Sequence, residues 1–170
     1  MRTRLLVILL AVAMIAAAPK PRPSNAPNAR NVPAAGFTFS DWNVKTDQFD
    51  FNWQSGQFNA PNPVTLTRPG STIQADRAFG NQKSKQATLT GHVVLHDRSG
   101  ALSNFSGQTG SHQPSTLTCD NLMIDGVTKS YVATGSVHFI QGANDVRADR
   151  AVMNGLTHDL HLYGHVQLQQ

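Results

Sequence analysis

The chain repeats itself at a spacing of 73 residues, and this repeat constrains its fold more than any other feature. Ile73-Gln-Ala-Asp-Arg-Ala78 matches Val146-Arg-Ala-Asp-Arg-Ala151, and Leu89-Thr-Gly-His-Val-Val-Leu95 matches Leu162-Tyr-Gly-His-Val-Gln-Leu168 at the same offset. Between Thr72 and Asp97, 10 of 26 positions are identical to their partners. A repeated unit of this kind stacks so that each copy buries the apolar surface of its neighbour.

The repeated segments predict β-strands. Apolar and polar residues alternate in residues 87–95, 131–139 and 159–168, which is typical of a strand with one buried face. Turn residues separate these segments, and no stretch has a helical period. The chain contains ten Asp and no Glu, and this balance favours turns and strands over helices. The sequence therefore predicts an all-β protein, either a long sandwich or a folded sheet, around an apolar interior.

The first 18 residues have the pattern of an export segment. Met1-Arg-Thr-Arg4 is positively charged, and the apolar run from Leu5 to Ala18 is typical of a signal-peptide core. This run is shorter than the roughly 20 residues that span a bilayer. Small residues precede Pro19, which is unfavourable just after a cleavage site. The pattern leaves two alternatives open, a cleaved signal peptide and an uncleaved N-terminal anchor.

The rest of the chain divides into a linker and one folded domain. Residues 19–36 are rich in Pro, Ala and Asn and predict an extended linker. Residues 37–170 predict the domain, which consists of the repeats 44–97 and 117–170 and a Gly- and Ser-rich loop over residues 98–116.

Charge and cysteine content exclude several classes. From Gly36 onward, nine Lys and Arg stand against ten Asp, so the basic excess belongs to the N-terminal tail and no nucleic-acid partner is predicted. Cys119 is the only cysteine, which excludes an internal disulfide and predicts a small buried strand residue. No nucleophile elbow, Cys-His pair or phosphate-binding loop occurs, so no enzyme activity and no cofactor are predicted.

The seven histidines do not predict a metal site. His158, His161 and His165 are close in sequence, but His161 and His165 lie about 13 Å apart on a strand, too far to share one ion. His92 and His165 are repeat equivalents, which predicts a repeated structural role on the outer face. The repeated Asp76-Arg77 and Asp149-Arg150 pairs predict solvated or cross-strand pairs at strand ends, with contact to charged headgroups as the alternative.

The repeat resembles the OstA-like family, which includes the periplasmic lipopolysaccharide-transport proteins LptA and LptC. The resemblance is carried by Ala-Asp-Arg-Ala, a turn with Asn, then Leu-x-Gly-His-Val-x-Leu in both units, and by Ala133-Thr-Gly-Ser-Val-His-Phe139. It covers roughly residues 44–170. Two features depart from the family: Gly-His-Val stands where Gly-Asn-Val is commoner, and the loop over residues 98–116 is long.

The resemblance implies an antiparallel β-jellyroll folded like a taco shell, with lipid acyl chains in its apolar cleft. It implies a periplasmic carrier or bridge for lipopolysaccharide or a related glycolipid, with other Lpt-type jellyroll proteins as partners and end-to-end self-association. The residues predicted to face the apolar cleft are Val64, Leu66, Ile73, Leu89, Val93, Leu95, Leu122, Ile124, Val137, Phe139, Val146, Leu162, Val166 and Leu168. For each of them, plain core packing is the alternative.

Two other functions compete with the carrier. The first is an assembly module that joins envelope proteins through open β edges and binds no lipid. The second is a sugar-binding β-sandwich at the cell surface, which needs exposed aromatic residues, and the chain has only two Trp and two Tyr.

Overall fold

The computed structural model describes residues 36–100 and 113–169, and all regular structure in these residues is β-strand. The predicted all-β class is confirmed. Within these ranges there is no helix of the length and apolarity that crossing a membrane requires. The strands are β1 (Phe37–Phe39), β2 (Trp42–Thr46), β3 (Asp50–Phe51), β4 (Gln57–Ala60), β5 (Val64–Arg68), β6 (Ser71–Ala75), β7 (Arg77–Asn81), β8 (Gln86–Asp97), β9 (Ser115–Asp125), β10 (Ser130–Gln141), β11 (Asn144–Asn154), β12 (Leu160–Tyr163) and β13 (Gln167–Gln169).

The strands form one antiparallel sheet whose centre is four long strands, β8 to β11. Shorter strands pair with only one half of these long strands. At β8, the strand β7 pairs with residues 86–90 and β6 pairs with residues 94–97. At β11, β12 pairs with residues 150–153 and β13 pairs with residues 145–147. The sheet therefore has two halves that share their central strands, as a folded jellyroll sheet requires.

The strand bounds follow the 73-residue offset. Strand β10 begins at Ser130 and ends at Gln141, and the pair β4–β5 begins at Gln57 and ends at Arg68. The same relation links β11 to the pair β6–β7. In the first unit the counterpart of β10 is interrupted at Pro61-Asn-Pro63, because proline cannot donate a ladder hydrogen bond. The fold is thus built from two repeated units, as predicted.

The bend of the sheet lies at three β-bulges, which we call the crease. Opposite Asp76, Asp120 and Asp149, the chain adopts a left-handed conformation at Gly91-His92, Gly135-Ser136 and Gly164-His165. The register shifts at the first two of these sites, which marks an inserted residue. Unbroken strands were expected over residues 87–95 and 159–168. The first strand is confirmed within β8, which the inserted residue bends, and the second prediction is wrong, because that segment is split into β12 and β13.

The crease also changes which face of a strand is buried. Cys119 and Leu122 are both buried although they are three positions apart, and so are Ala148 and Ala151. A flat strand with period 2 places such residues on opposite faces. The two halves therefore enclose one core. Its largest fully buried side chains are Trp42, Tyr131, Phe39, Phe139, Ile73, Leu89, Leu95, Leu117, Leu122, Ile124 and Met153.

One predicted boundary differs from the structure. The predicted loop over residues 98–116 is too long at its end, because β9 begins at Ser115 and pairs there with β8 and β10. The predicted export segment, most of the linker and residues 101–112 of the loop lie outside the described residues.

Candidate functional site

A cleft of about 1440 Å³ opens at the end of the sheet where β1 and β3 are edge strands. Side chains of β1, β3, β4 and β7 and of the turn after β3 line it. Six of the chain's twelve aromatic residues contribute to this lining, so aromatic surface is concentrated at one end of the molecule. The aromatic lining residues are Phe37, Phe49, Phe51, Trp53, Phe58 and Phe79.

The aromatic rings form a continuous row from the core to solvent. Phe58 is buried, and its ring centroid lies 5.6 Å from that of Phe37, which lies 4.0 Å from that of Phe49. The ring of Phe49 stacks on Phe51 at 6.0 Å, and Phe51 meets Trp53 edge-on at 4.7 Å. Such tilted and edge-to-face contacts suit the ring quadrupoles. The row gives an apolar ligand a continuous aromatic wall that reaches the protein surface.

The polar residues around the cleft carry almost no charge. Asn, Gln, Ser and Thr side chains surround its mouth, and among the lining residues only Asp50 is charged. An apolar interior with a few polar groups at its edge is typical of sites for small amphipathic molecules. The arrangement offers hydrophobic burial and hydrogen bonds, and it holds no nucleophile placed beside a base.

A polar cluster, which we call the clasp, joins the two halves of the sheet beside the cleft. Arg68 donates a hydrogen bond of 3.0 Å to Asp41 and one of 2.9 Å to the Tyr131 hydroxyl, and its guanidinium lies 4.4 Å from the Trp42 ring centroid. From the other half, Lys129 donates to Asp41 at 3.1 Å. The clasp therefore closes the interior of the folded sheet.

Burial and charge act on the pKa values of the clasp. Partial burial raises the pKa of Asp41, but hydrogen bonds from Lys129 and Arg68 outweigh it and hold that pKa below 3.8. Burial raises the pKa of Tyr131 above 10, so its hydroxyl keeps its proton and accepts from Arg68. The clasp carries its charges throughout the physiological pH range.

A protein family and a solved structure resemble this chain. The sequence model of the family described as "Lipopolysaccharide-assembly, LptC-related" matches residues 24–98. LptH from Pseudomonas aeruginosa, described as the LptA-homologous periplasmic component of the lipopolysaccharide transport device, matches in structure with a TM-score of 0.64 and 10% identity. The match covers 77% of this chain and 98% of the LptH chain. The resemblance to the OstA-like family is confirmed. A search among curated proteins found no match.

The family match and the cleft fall in the same part of the chain. Residues 24–98 contain β1 to β8, and these strands with their turns supply the whole lining of the cleft except Met123. At 10% identity, the likeness to LptH shows the shared fold.

The predicted cleft residues lie mainly in the closed core. Eleven of the fourteen are buried there: Val64, Leu66, Ile73, Leu89, Val93, Leu95, Leu122, Ile124, Val137, Phe139 and Val146. Leu162 is partly buried against the core. None of the fourteen lines the aromatic cleft. The structure therefore brings the buried set together as packed core and places the accessible apolar volume elsewhere.

Leu168 pairs with the buried Val146 and therefore lies on the core face of the sheet, but neither Leu168 nor Val166 is buried. Their side chains are 50% and 48% exposed. Strand β13 is the last in its half of the sheet and pairs only with β11, so no further described strand covers these residues.

The aromatic cleft was missed at the sequence level although the sequence contains a signal for it. Seven of the twelve aromatic residues fall between Phe37 and Phe58, within the part of the chain that forms β1 to β4. Three of these residues, Phe49, Phe51 and Phe58, are the equivalents of Leu122, Ile124 and Tyr131 at the 73-residue offset. Their departure from the second unit was the informative feature, because Leu122, Ile124 and Tyr131 at the equivalent positions are buried in the core.

The crease contains three equivalent hydrogen bonds. The Nδ1 atoms of His92 and His165 lie 2.8 Å and 2.7 Å from carboxylate oxygens of Asp76 and Asp149. At the third site, Ser136 Oγ donates to Asp120 at 3.2 Å. The predicted repeated structural role of the two histidines is confirmed. Both aspartates pair with histidine at the crease: Asp76 lies between β6 and β7, at a strand end as predicted, whereas Asp149 is in the middle of β11.

The crease chemistry is structural. The hydrogen bond that protonated His92 donates to Asp76 raises the pKa of His92 above 6.5, and the charges of Asp76 and Asp120 add to this effect. Among residues 36–100 and 113–169, no group of three or more His, Cys, Asp or Glu side chains is arranged to hold a metal ion. Cys119 lies in the crease of β9, where β11 has Ala148, and burial raises the pKa of its thiol to about 12. A thiol with this pKa is unreactive at neutral pH.

Proposed function

We propose that this chain is a periplasmic lipid-binding carrier or bridge in the transport of lipopolysaccharide or a related glycolipid, and that the aromatic cleft receives an acyl chain. The observation that carries the proposal is the continuous row of rings from Phe58 to Trp53 on an OstA-like fold. The proposed action is binding and release, without covalent chemistry.

Hydrophobic burial supplies the affinity. Each methylene that leaves water for the cleft contributes about 0.8 kcal/mol, so an acyl segment of about ten carbons supplies the roughly 8 kcal/mol of micromolar binding. Neutral amides of Gln54, Gln57 and Gln82 at the mouth can hydrogen-bond a headgroup without fixing its charge. The site thus favours an amphipathic ligand over a free sugar, because it combines six aromatic side chains with polar residues at its mouth.

The predicted buried residues form a second part of the proposed site. They lie behind the clasp, and separation of Asp41 from Lys129 and of Arg68 from Tyr131 frees the two halves to part. We propose that an open clasp extends the aromatic cleft into a groove along Leu66, Leu95 and Phe139 and the other buried members of the set.

Partners and location follow from the resemblance and from the sheet edges. Strands β1 and β3 at one end, and β12 and β13 at the other, each pair on one side only among the described strands. We propose that these edges pair with other Lpt-type jellyroll proteins or with a second copy end to end. The N-terminal segment then serves as a cleaved signal or as an anchor in the inner membrane.

Lipid analysis of the purified chain tests the carrier. We expect acyl lipid to co-purify with the full chain and to be identified by mass spectrometry. The double variant Phe49→Gln/Phe51→Gln is expected to lose most of it, whereas Tyr163→Gln, at an exposed ring away from the cleft, retains it. Absence of acyl lipid from the unaltered chain contradicts the proposal.

The assembly module remains the second candidate, because the unpaired edges support it directly. Charged residues at Val166 and Leu168 are expected to stop edge pairing under both hypotheses. Only the carrier hypothesis predicts that lipid transfer between copies is lost as well. If lipid transfer stays normal after assembly is lost, lipid does not pass from copy to copy through the paired edges. That result therefore contradicts a bridge.

A further inference from the structure

Four hairpin turns lie side by side along one rim of the sheet. They join β3 to β4, β7 to β8, β9 to β10 and β11 to β12. The register places their flanking residues in one continuous row across the sheet: Gln57, Asn81, Gln86, Asp125, Ser130 and Asn154. We call residues 52–56, 81–85, 125–129 and 154–158 the turn row.

The four turns have the same construction. Each begins with Asn or Asp, and the side-chain oxygen of this residue accepts hydrogen bonds from the amides two and three positions later. Each ends with a residue at positive φ: Gly56, Lys85, Lys129 and His158. Four equal turns of this kind project by the same distance from the sheet.

Backbone hydrogen bonds tie the turns to one another. The amide of Gln82 donates to Gly56 O at 2.9 Å, and that of Gly126 donates to Lys85 O at 2.7 Å. The amide of Gly155 donates to Lys129 O at 2.9 Å in the same way. Neighbouring hairpins are about 10 Å apart, so the turn row is a rigid rim on the order of 30 Å long.

The most exposed apolar side chains of the described residues lie on this rim. Trp53, Leu156 and Val127 are 84%, 67% and 66% exposed, more than any other large apolar residue of the described ranges. Each belongs to a different turn, and the remaining turn presents Lys83 and Lys85. Within the described residues, the hairpin turns at the other ends of these strands are Ser40-Asp41, Pro69-Gly70 and Gly142-Ala143, with no large apolar residue, and most of the connection between β8 and β9 lies outside the described ranges. Exposed apolar surface is therefore placed at one rim and not spread over all turns.

We propose that the turn row docks onto the surface of an anionic lipid bilayer. Single apolar side chains held at fixed separations along a rigid line fit between lipid headgroups, and tryptophan favours the interfacial region. Two lysines between the apolar tips complement lipid phosphates. A protein partner favours a contiguous cluster of anchors instead, which tips about 10 Å apart do not form.

The charge of the turn row supports insertion assisted by electrostatics. Its charged residues are Lys83, Lys85, Lys129 and Asp125, a net of two positive charges with His neutral. Lys129 is held by Asp41, Asp125 accepts backbone amides of its own turn, and Lys83 donates to the Gln54 carbonyl of the neighbouring turn, so Lys83 and Lys85 are the positive charges without a carboxylate partner at the tips. Adjacent Asp159 follows the last turn and lowers the local excess.

Docking in this orientation brings the aromatic cleft to the lipid surface. Trp53 and Gln54 in the first turn and Gln82 and Ser84 at the second turn also line the cleft. The mouth of the cleft therefore lies on the docking rim itself. The docking proposal does not depend on the carrier function, because Val127 and Leu156 are outside the cleft lining.

An environment-sensitive dye at the turn tips tests the proposal in the full chain. Cys119 is first replaced by Ala, the residue present at the equivalent crease positions 75 and 148, and single cysteines are then introduced as Val127→Cys or Leu156→Cys and labelled. The probe is vesicles of equal parts phosphatidylcholine and phosphatidylglycerol. Both dyes are expected to brighten and shift to the blue as they leave water. A dye at Asn121→Cys, at the crease in β9, the strand that leads into the Val127 turn, is expected not to respond.

Substitutions at the other turn tips separate the hydrophobic from the electrostatic contribution to vesicle binding. Trp53→Ser is expected to weaken the response of the Leu156 dye roughly tenfold in lipid concentration, by loss of a buried aromatic surface. Lys83→Gln/Lys85→Gln is expected to weaken it roughly fivefold per lysine at low salt and little at high salt. The matched double variant Lys45→Gln/Arg147→Gln, at exposed positions off the rim, is expected to have no comparable effect.

Three results overturn the proposal. The tip dyes stay unchanged with vesicles, the Asn121 dye responds as strongly as they do, or the rim variants and the matched variant weaken the response equally. Chains held on vesicles only by the N-terminal segment give the first of these results. Shielding of the tip dyes by a protein, with none by vesicles, assigns the rim to a protein partner and also overturns it.

Discussion

At the scale of single residues, the bend of the sheet depends on glycine beside aspartate. Gly91, Gly135 and Gly164 have φ values of 75°, 76° and 68°, where a side chain is strained. In each case an added Cβ meets the carboxylate of the crease aspartate on the neighbouring strand. The sequence displayed these residues as a repeat, but their alternation looked regular because Leu89 and Val93 are an even number of positions apart. Such a bulge keeps the even spacing of apolar residues in its own strand. It cannot be detected before the pairing with the neighbouring strand is known.

Alanine at a crease glycine is expected to destabilise the fold. Gly135→Ala should lower the free energy of unfolding by about 2 kcal/mol, through backbone strain and displacement of Asp120. Urea unfolding measures this change. Gly155→Ala is the control, because Gly155 is not at positive φ and its nearest atom to an added Cβ is 3.3 Å away. We expect less than about 0.5 kcal/mol there, and equal losses contradict the role assigned to the crease.

The His92–Asp76 pair predicts a pH dependence. The folded pKa of His92 is raised above its unfolded value of 6.5, so its stabilising contribution is complete below pH 6.5 and is lost as pH rises through the folded pKa. NMR titration of His92 is expected to give a pKa above 6.5, and Asp76→Asn is expected to lower it. A pKa that does not change in Asp76→Asn means that the hydrogen bond does not hold the proton.

At the scale of elements, the strands and their repeat were predictable and the clasp was not. Periodicity gave the central strands, and proline and glycine marked the turns around 61–63 and 69–70. The clasp joins Asp41, Arg68, Lys129 and Tyr131 from distant parts of the chain. Such contacts depend on how the sheet folds over, which no local pattern encodes. The aromatic cleft was only partly predictable. Its residues cluster in sequence, but their exposure arises because β1 and β3 each pair on one side only among the described strands.

Loss of one clasp hydrogen bond is expected to loosen the two halves. Tyr131→Phe keeps the packing of the ring but removes the hydroxyl that accepts from Arg68, at a cost of about 1 kcal/mol in unfolding free energy. Amide hydrogen exchange should rise in β2 and β5 and in the first residues of β10. Tyr163→Phe, at a half-exposed ring, is the matched control. Similar exchange in the two variants contradicts the clasp.

Acid is expected to weaken the clasp through Asp41. Its folded pKa is depressed below 3.8, so its contribution is present above pH 3.8 and is lost as pH falls through the folded value. The stability difference between the unaltered chain and Asp41→Asn should therefore shrink below pH 3.8. Calorimetric melting across that range measures it, and a constant difference argues against a charged Asp41 in the folded state.

At the scale of the whole molecule, two repeated units give two different ends. The first unit ends in the aromatic cleft beside β1 and β3, and the second ends in the exposed apolar strands β12 and β13. The repeat predicted one apolar face continued through both units. It did not predict the difference, because a residue such as Val166 is buried only where another strand or chain covers it. A fold with unlike ends is suited to joining partners in one direction.

Charges at the second end are expected to separate assembly from folding. Val166→Asp/Leu168→Asp should leave the melting temperature nearly unchanged, because both side chains are already half exposed. End-to-end association of copies, measured by analytical ultracentrifugation, should be lost. Unchanged association places the contact elsewhere, and a collapse of the melting temperature shows that these residues belong to the core.

The most direct test of the account is photo-crosslinking from the wall of the aromatic cleft. A photoreactive phenylalanine analogue at Phe51 in the full chain, exposed to a lipid A-type glycolipid, is expected to form a covalent adduct detected by mass spectrometry. The same analogue at Ile140, on an exposed position outside the cleft lining, is expected to form little or none. Absence of the adduct at Phe51, or equal adduct at both positions, contradicts the claim that this cleft binds the acyl chain.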